Sequence, residues 1–170
     1  MSETSKRRHV LAPYCAGPGV DVGFGGDPIL PTSICVDLPQ PYTRLGLAPQ
    51  HLACDGLPLL PWFADRSLGY VYSSHLIEDF PFAAQLTIVR EWLRKVRSGG
   101  RVVILAPDQQ AYERHCRDHG TAPNSHHAEP DMGLASFAAR VVTPLLGECH
   151  ILHHAELVAE YSFEVVLQRR

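Results

Sequence analysis

The chain of 170 residues has no C-x-x-C pair, no long apolar run and no excess of positive charge. Its five cysteines (Cys15, Cys35, Cys54, Cys116 and Cys149) are odd in number and scattered, which argues against a disulfide framework or a zinc ribbon. Cys35 and Cys54 sit inside apolar runs as small hydrophobes, and such cysteine usage suits a reducing cytoplasm. A membrane helix needs about 18 consecutive apolar residues, and none of the runs here comes near that. The opening Met1-Ser-Glu-Thr-Ser-Lys6 is polar, unlike a secretory leader. With 15 Lys+Arg against 18 Asp+Glu, the net charge of −3 offers no footprint for nucleic acid. The basic cluster Lys6-Arg7-Arg8 is short and close to the terminus, and reads as a solvated tail. Repeats and low-complexity tracts are absent as well.

What is present is an ordinary globular composition, 45% hydrophobic and 19% charged. A chain of this length forms one domain and buries roughly 70% of its extended surface. Residues 1–16 read as an N-terminal tail with a short helix, and 17–170 as a single domain. Strands are predicted over 19–22, 33–37, 51–54, 68–73 and 101–106. Between the last two, Phe82, Leu86, Val89, Leu93 and Val96 recur at helical spacing, which predicts a helix over 82–97 stopped by Ser98-Gly99-Gly100. A strand–helix–strand unit of this kind implies parallel pairing. Further helices are predicted over 109–119 and 132–143, with a loop over 120–130 between them. Closing strands at 150–152 and 162–167 suit an antiparallel hairpin at the sheet edge. The fold class is therefore α/β: a Rossmann-like, seven-stranded open sheet, mostly parallel, with an antiparallel terminal hairpin.

The first half departs from this pattern. Pro28 and Pro31 interrupt the short link between the first two strands, and Pro39, Pro41 and Pro49 interrupt the next. Full crossover helices do not fit there. The shortened crossovers leave one sheet face thinly covered, and an uncovered apolar face predicts a partner, most simply a homodimer.

Two strand ends carry the chemistry. Gly19-Val-Asp-Val-Gly-Phe-Gly-Gly26 runs an apolar strand into a glycine turn, with Asp21 just before Gly23, and Ser33-Ile-Cys-Val-Asp37 ends in a second acid. Glycines let the backbone approach a ligand, and a strand-end carboxylate can accept from ribose hydroxyls. A nucleotide-like ligand at the carboxyl ends of parallel strands fits both features.

Asp21-x-Gly23-x-Gly25, Asp37, Asp55 and Ser73-Ser-His-Leu-Ile-Glu78 together resemble the S-adenosylmethionine-dependent methyltransferases with the class I Rossmann-like fold. The run from Leu93 to Ile104 is similar to the helix, turn and fifth strand of that family, and the stretch from Leu57 to Asp65 to its loop before the fourth strand. The likeness covers about residues 17–110, and most resembles a short-loop subgroup found with polysaccharide and surface-sugar biosynthesis. It implies S-adenosylmethionine as the cofactor and a role for each position. Asp21 would lie near the ammonium of the methionine end. Gly23, Gly25 and Gly26 would give backbone access to methionine and ribose. Asp37 would take the ribose hydroxyls. Asp55 would accept from the adenine amino group, with Gly56 and Leu57 against the ring. Ser73, Ser74 and His75 would line the methyl-transfer site. Each has a plainer alternative: Asp21 and Asp37 as turn residues, Asp55-Gly56 as a turn dipeptide, His75 as a packing or capping group, Glu78-Asp79 as a helix start.

The last third is rich in histidine. His115 and His119 have the i, i+4 spacing of a metal pair but lack the glutamate of H-E-x-x-H, so no metal site is expected. Asp108 and Tyr112, together with Asn124, His126 and His127 in the following loop, are the candidate acceptor contacts. His75, His127 and Asp108 are the candidate bases for a small polar acceptor, such as a sugar hydroxyl or amine. A nicotinamide enzyme fits less well, because Pro28 stands where G-x-G-x-x-G needs its third glycine and Asp21 would face a pyrophosphate. A non-catalytic binding or assembly module of the same fold is the alternative reading.

Overall fold

The computed structural model describes residues 2–41, 44, 46, 48–53 and 57–170. Seven strands, β1 (Gly19–Val22), β2 (Ile34–Asp37), β3 (Leu52–Ala53), β4 (Leu68–Ser74), β5 (Val96–Pro107), β6 (Cys149–Val158) and β7 (Ser162–Arg169), form one sheet in the order β3-β2-β1-β4-β5-β7-β6. The first five pair in parallel, and β7 runs antiparallel to both β5 and β6. Alternate residues point to opposite faces, so β4, β5 and β7 each contribute to two cores. Val20, Val22, Val71, Val102, Ile104 and Val165 face one way, while Tyr70, Tyr72, Val103, Leu105 and Val166 face the other.

The helices are α1 (Glu3–Leu11), α2 (Phe82–Lys95), α3 (Gln109–Asp118) and α4 (Leu134–Phe137). On the first face α2 buries Phe82, Ile88, Val89, Trp92 and Leu93, and Trp92 Nε1 donates to Pro58 O at 2.6 Å. Its end at Lys95 is abrupt: Val96 is already extended and begins β5, so Ser98-Gly99-Gly100 lies inside that strand and not after a longer helix. The predicted helix over 132–143 is broken up. After α4 the backbone widens into a π-helical stretch (Ala138–Val142) and tightens into a 3₁₀ turn (Thr143–Leu145). Thr143 supports the wide turn by donating from both its N–H and its Oγ1 to Ala138 O, and Pro144 has no N–H to continue a helix.

No helix fills 23–33 or the described residues of 38–51. Turns serve instead, with Asp27 N donating to Phe24 O and Ser33 N to Leu30 O. The short β3 is clipped in place by side chains: Gln50 Nε2 lies 2.9–3.2 Å from the carbonyls of Asp37, Leu38 and Leu52, and Cys35 N donates to His51 Nδ1 at 2.9 Å.

The second face is not bare, contrary to the reading of a thinly covered sheet. Leu11 of α1 and Ile29 of the proline-broken link are fully buried against Tyr70, Tyr72, Val103 and Leu105. The basic cluster is not a solvated tail either. Arg7 makes a two-pronged ion pair with the fully buried Glu164 of β7 (3.0 and 2.8 Å), Arg8 pairs with Asp27, and Lys6 pairs with Glu3 and Glu160. Burial pushes the Glu164 carboxyl up, but the bonds from Arg7 and His153 outweigh it and hold the group below its usual range. With the chain's own helix on that face, the premise for a homodimer there falls away. Among the described residues no helix is long and apolar enough to cross a membrane.

If α1 is part of the core, Leu11→Ala costs about 2–5 kcal/mol in equilibrium urea unfolding. A cost below about 0.5 kcal/mol, typical of an exposed site, shows α1 to be a loose tail.

Candidate functional site

The strand order reverses between β1 and β4, because the chain builds β2 and β3 on one side of β1 and then returns to build β4 and β5 on the other. In open α/β sheets the crevice at such a point, beyond the carboxyl ends of the strands, is where ligands bind. A cavity of about 280 Å³ lies there.

One wall is the glycine turn. Gly23 (φ +68°) and Gly25 (φ +57°) adopt left-handed backbone and line the cavity with Phe24. Gly26 (φ +90°) does not line it; a Cβ there would stand 2.7 Å from Gly46 N, so this glycine serves a close crossing of two loops. Asp37 lines the cavity at the end of β2, with Oδ2 accepting from Gly25 N at 3.2 Å and Oδ1 from Leu38 N at 2.8 Å. Burial pushes its carboxyl up, against those backbone bonds.

Asp21 behaves differently. It is fully buried, lies outside the cavity lining, and accepts from Ile29 N at 2.6 Å, while Oδ1 has no hydrogen-bond partner. Its role here is to pin the link after the glycine turn beneath α1. Burial pushes its pKa up to about 8, with the Ile29 bond opposing and Asp27 and Asp37 adding to the rise. Asp55 and Gly56 lie outside the described residues, and Leu57 begins a 3₁₀ turn (Leu57–Leu59).

The opposite wall comes from the chain after β4, from α3 and from the 120–130 loop. Ser74, His75, Leu76, Glu78, Tyr112, Asn124, His127 and Tyr161 all reach the cavity, and α1 closes it with Ser2, Glu3 and Thr4. Ser73 is buried within β4, its Oγ without a partner among the described residues, and is not in the lining. Asp108 is not in the lining either: it caps α3, its Oδ1 accepting from Ala111 N at 2.9 Å. His126 also stays outside, its N–H donating to Asn124 Oδ1. The loop is sewn to the rest by Ala128 N to Glu78 O (2.9 Å), Asn124 N to Tyr112 Oη (3.0 Å) and Phe82 N to Glu129 Oε1 (2.8 Å).

Glu78 is the centre of this wall. Its side chain is 3% exposed, Oε1 lies 3.5 Å from His75 Nδ1 and 3.9 Å from His127 Nε2, and Oε2 has no partner among the described residues. Burial pushes the Glu78 carboxyl well above its usual range. It also pushes His75 down to about 3, with His127 and Lys6 adding to the fall, so His75 is a neutral imidazole. His75 holds a left-handed backbone (φ +53°) and shares a 3.1 Å bond between Nε2 and Ser162 Oγ.

The tautomer of His127 can be assigned from its partners. Gln109 Nε2 donates to Glu113 Oε1 at 3.0 Å, since a carboxylate only accepts. The Gln109 carbonyl therefore faces His127 Nδ1 at 2.6 Å and must accept from it. Nδ1 carries the proton, and the Nε2 lone pair faces Glu78. Burial lowers the His127 pKa, so this neutral form is the one present near neutral pH.

No family model matches the chain, and neither does any curated protein. Solved structures do resemble it. A SAM-dependent methyltransferase from Archaeoglobus fulgidus superposes with a TM-score of 0.70 at 14% identity, over 98% of this chain and 92% of that one. The PH0226 protein from Pyrococcus horikoshii OT3 gives 0.65 at 12%, over 100% and 92%. The N-methyltransferase NodS from Bradyrhizobium japonicum WM9, in complex with S-adenosyl-L-homocysteine, gives 0.58 at 12%, over 97% and 86%. The chain has the SAM-dependent methyltransferase fold.

The sequence reading did not pick Glu3, Phe24 or Tyr161 as lining residues, and it placed Glu78 at the end of the Ser73–Glu78 motif, with a helix start as the plainer alternative. Tyr161 had a findable signal. It precedes β7, whose Ser162 pairs with Pro107 at the end of β5, so an antiparallel β7 must start at the cavity mouth. Glu78 follows His75 by three residues, but only the tight turn Ile77–Asp79 folds the two side chains together. His115 and His119 stack at 4.1 Å, and among the described residues no three His, Cys, Asp or Glu side chains are grouped to hold an ion.

Asp21 generates a pH prediction. Its folded pKa of about 8 lies above the unfolded value of about 4, so its contribution favours folding in acid and is lost as pH rises through 8. Asp21→Asn keeps an acceptor for Ile29 N and does not titrate. The melting temperature of the variant should gain on that of the wild type from about pH 4 to pH 8, measured by calorimetry. A constant gap across that range contradicts a raised Asp21 pKa.

Proposed function

We propose that the chain transfers a methyl group from S-adenosylmethionine to a small polar acceptor, a sugar-derived or other hydroxyl or amine. The observation that carries this reading is one cavity at the strand-order reversal, with the glycine turn and Asp37 on one wall and Glu78, His127 and two tyrosines on the other. The fold of the solved methyltransferases, one of them bound to S-adenosyl-L-homocysteine, supports it.

The donor set suits the cofactor. Asp37 has a carboxylate that accepts from the backbone N–H groups of Gly25 and Leu38 and can take a ribose diol. The left-handed turn at Gly23 and Gly25 brings bare backbone to the cavity, where a methionine end and ribose need close approach. Asp55, Gly56 and Leu57 are kept as the adenine contacts that the family resemblance implies. Asp21 supports this set from below by fixing the link that follows the turn. When bound, the sulfonium supplies an electrophilic methyl carbon: the acceptor's lone pair forms the new bond as the carbon–sulfur electrons return to sulfur.

The chain's own contribution is alignment and proton handling. Tyr112, Asn124 and Tyr161 shape the acceptor side, and Ser74 and His75 line the cavity with them. His127 is the base best placed to accept a proton, because Gln109 locks its Nε2 lone pair toward the cavity. His75, with its pKa near 3, is a weaker base and serves to pack against Glu78 and Tyr161.

Calorimetric titration tests the cofactor assignment. S-adenosylmethionine and S-adenosylhomocysteine should bind and NAD should not, and Asp37→Ala should weaken both sulfur ligands about 10–100-fold with the melting curve intact. Binding of NAD alone, or of none of the three, contradicts the reading.

A further inference from the structure

The acceptor side of the cavity has a chemical bias. Glu78 is buried, its Oε2 is unpartnered, and it belongs to the lining. Glu3, also in the lining, has a second buried, unpartnered oxygen, Oε2. Among the described lining residues there is no arginine or lysine. Lys6 is near, but its Nζ is already held at 3.0 Å by both Glu3 and Glu160. An anionic acceptor, such as a phosphate or a carboxylate, would therefore meet acids with no free cation to receive it.

The same wall is aromatic. Tyr112 and Tyr161 sit 5.2 Å apart, centroid to centroid, and Tyr112 lies 4.9 Å from the His127 ring. An ammonium entering here favours the ionised form of Glu78, whose carboxyl burial otherwise pushes up, and gains from the ring quadrupoles as well. The rim already holds one this way: Lys6 Nζ is paired with Glu3 and stands 5.9 Å over the Tyr161 ring.

We propose that the methyl acceptor is an amine, received as its ammonium by Glu78 beside Tyr112 and Tyr161. This rests on the methyl-transfer reading above and narrows it. An ammonium has no lone pair, so one N–H proton passes to the Glu78–His127 pair before nitrogen can accept a methyl group. Asp37 ends β2 and Glu78 follows β4, on opposite sides of β1 in the sheet order, and Glu78 approaches His127 of the 120–130 loop; that placement assigns it to the acceptor and not to the cofactor.

Three probes of one shape test the proposal: benzylamine, benzyl alcohol and benzoate, each titrated by calorimetry into protein saturated with S-adenosylhomocysteine. Benzylamine should bind at least about 10-fold tighter than the alcohol, with benzoate weakest. Glu78→Gln, which keeps the shape, should erase the amine preference and leave S-adenosylhomocysteine affinity unchanged. Equal binding of amine and alcohol, preference for benzoate, or no binding by any probe at tens of millimolar (~10 mM and above) overturns the amine assignment while leaving the cofactor reading intact. Loss of S-adenosylhomocysteine affinity in Glu78→Gln, with its melting curve unchanged, assigns the carboxylate to the cofactor and also overturns it. Failure of the wild type to bind S-adenosylhomocysteine at all removes the methyl-transfer reading and this proposal together.

Discussion

The docking of α1 on the sheet is the contact on which the rest of this structure depends. The links after β1 and β2 are too short and too rich in proline to form crossover helices, so one sheet face would stay wet. The N-terminal helix takes their place. Leu11 supplies the apolar contact, and Arg7 neutralises Glu164, a carboxylate with no exposed surface that would otherwise be costly to bury. The helix start then reaches the strand ends, where Ser2, Glu3 and Thr4 close the cavity and Tyr161 Oη donates to Glu3 Oε1 at 3.0 Å. One helix thus covers a core and completes a site.

Four buried carboxylates, of which Asp37 and Glu78 line the cavity, are separated in task by their surroundings. Glu164 is charged because Arg7 and His153 hold it. Asp21 has one backbone donor and is driven toward its neutral form, which suits a structural clasp. Asp37 faces open space with two backbone bonds. Glu78 has its own backbone N–H, two imidazoles at 3.5 and 3.9 Å and, among the described residues, an oxygen (Oε2) without a partner, so a group entering the cavity can gain what the folded chain does not supply.

Much of the fold was legible in the chain. The β1 strand falls on the predicted 19–22, and α2 starts at Phe82 as its apolar spacing requires. The parallel core and antiparallel terminal pair also follow from element order. Local pattern could not show that α1 folds back, because its apolar content is little more than Val10 and Leu11, and its anchors are charges paired with residues 19–157 positions away. For the same reason the covered face was read as exposed. At the site, the glycine turn, Asp37, His75, Tyr112, Asn124 and His127 could be picked by type and position, and the fold brings them to one cavity. Asp108 was misjudged because a strand-end acid before a helix has two uses, and here the helix N-terminus takes it. Glu78 and Tyr161 become visible only when the turn after β4 and the start of β7 are placed in space.

The central claim is that one cavity holds a methyl donor and its acceptor on opposite walls. A crystal structure of the full chain with S-adenosylhomocysteine tests it most directly. The account predicts the ribose hydroxyls on Asp37 and the thioether sulfur turned toward the Glu78–His127 wall. A ligand bound away from Asp37, or seated with its sulfur facing out of the cavity, would contradict it.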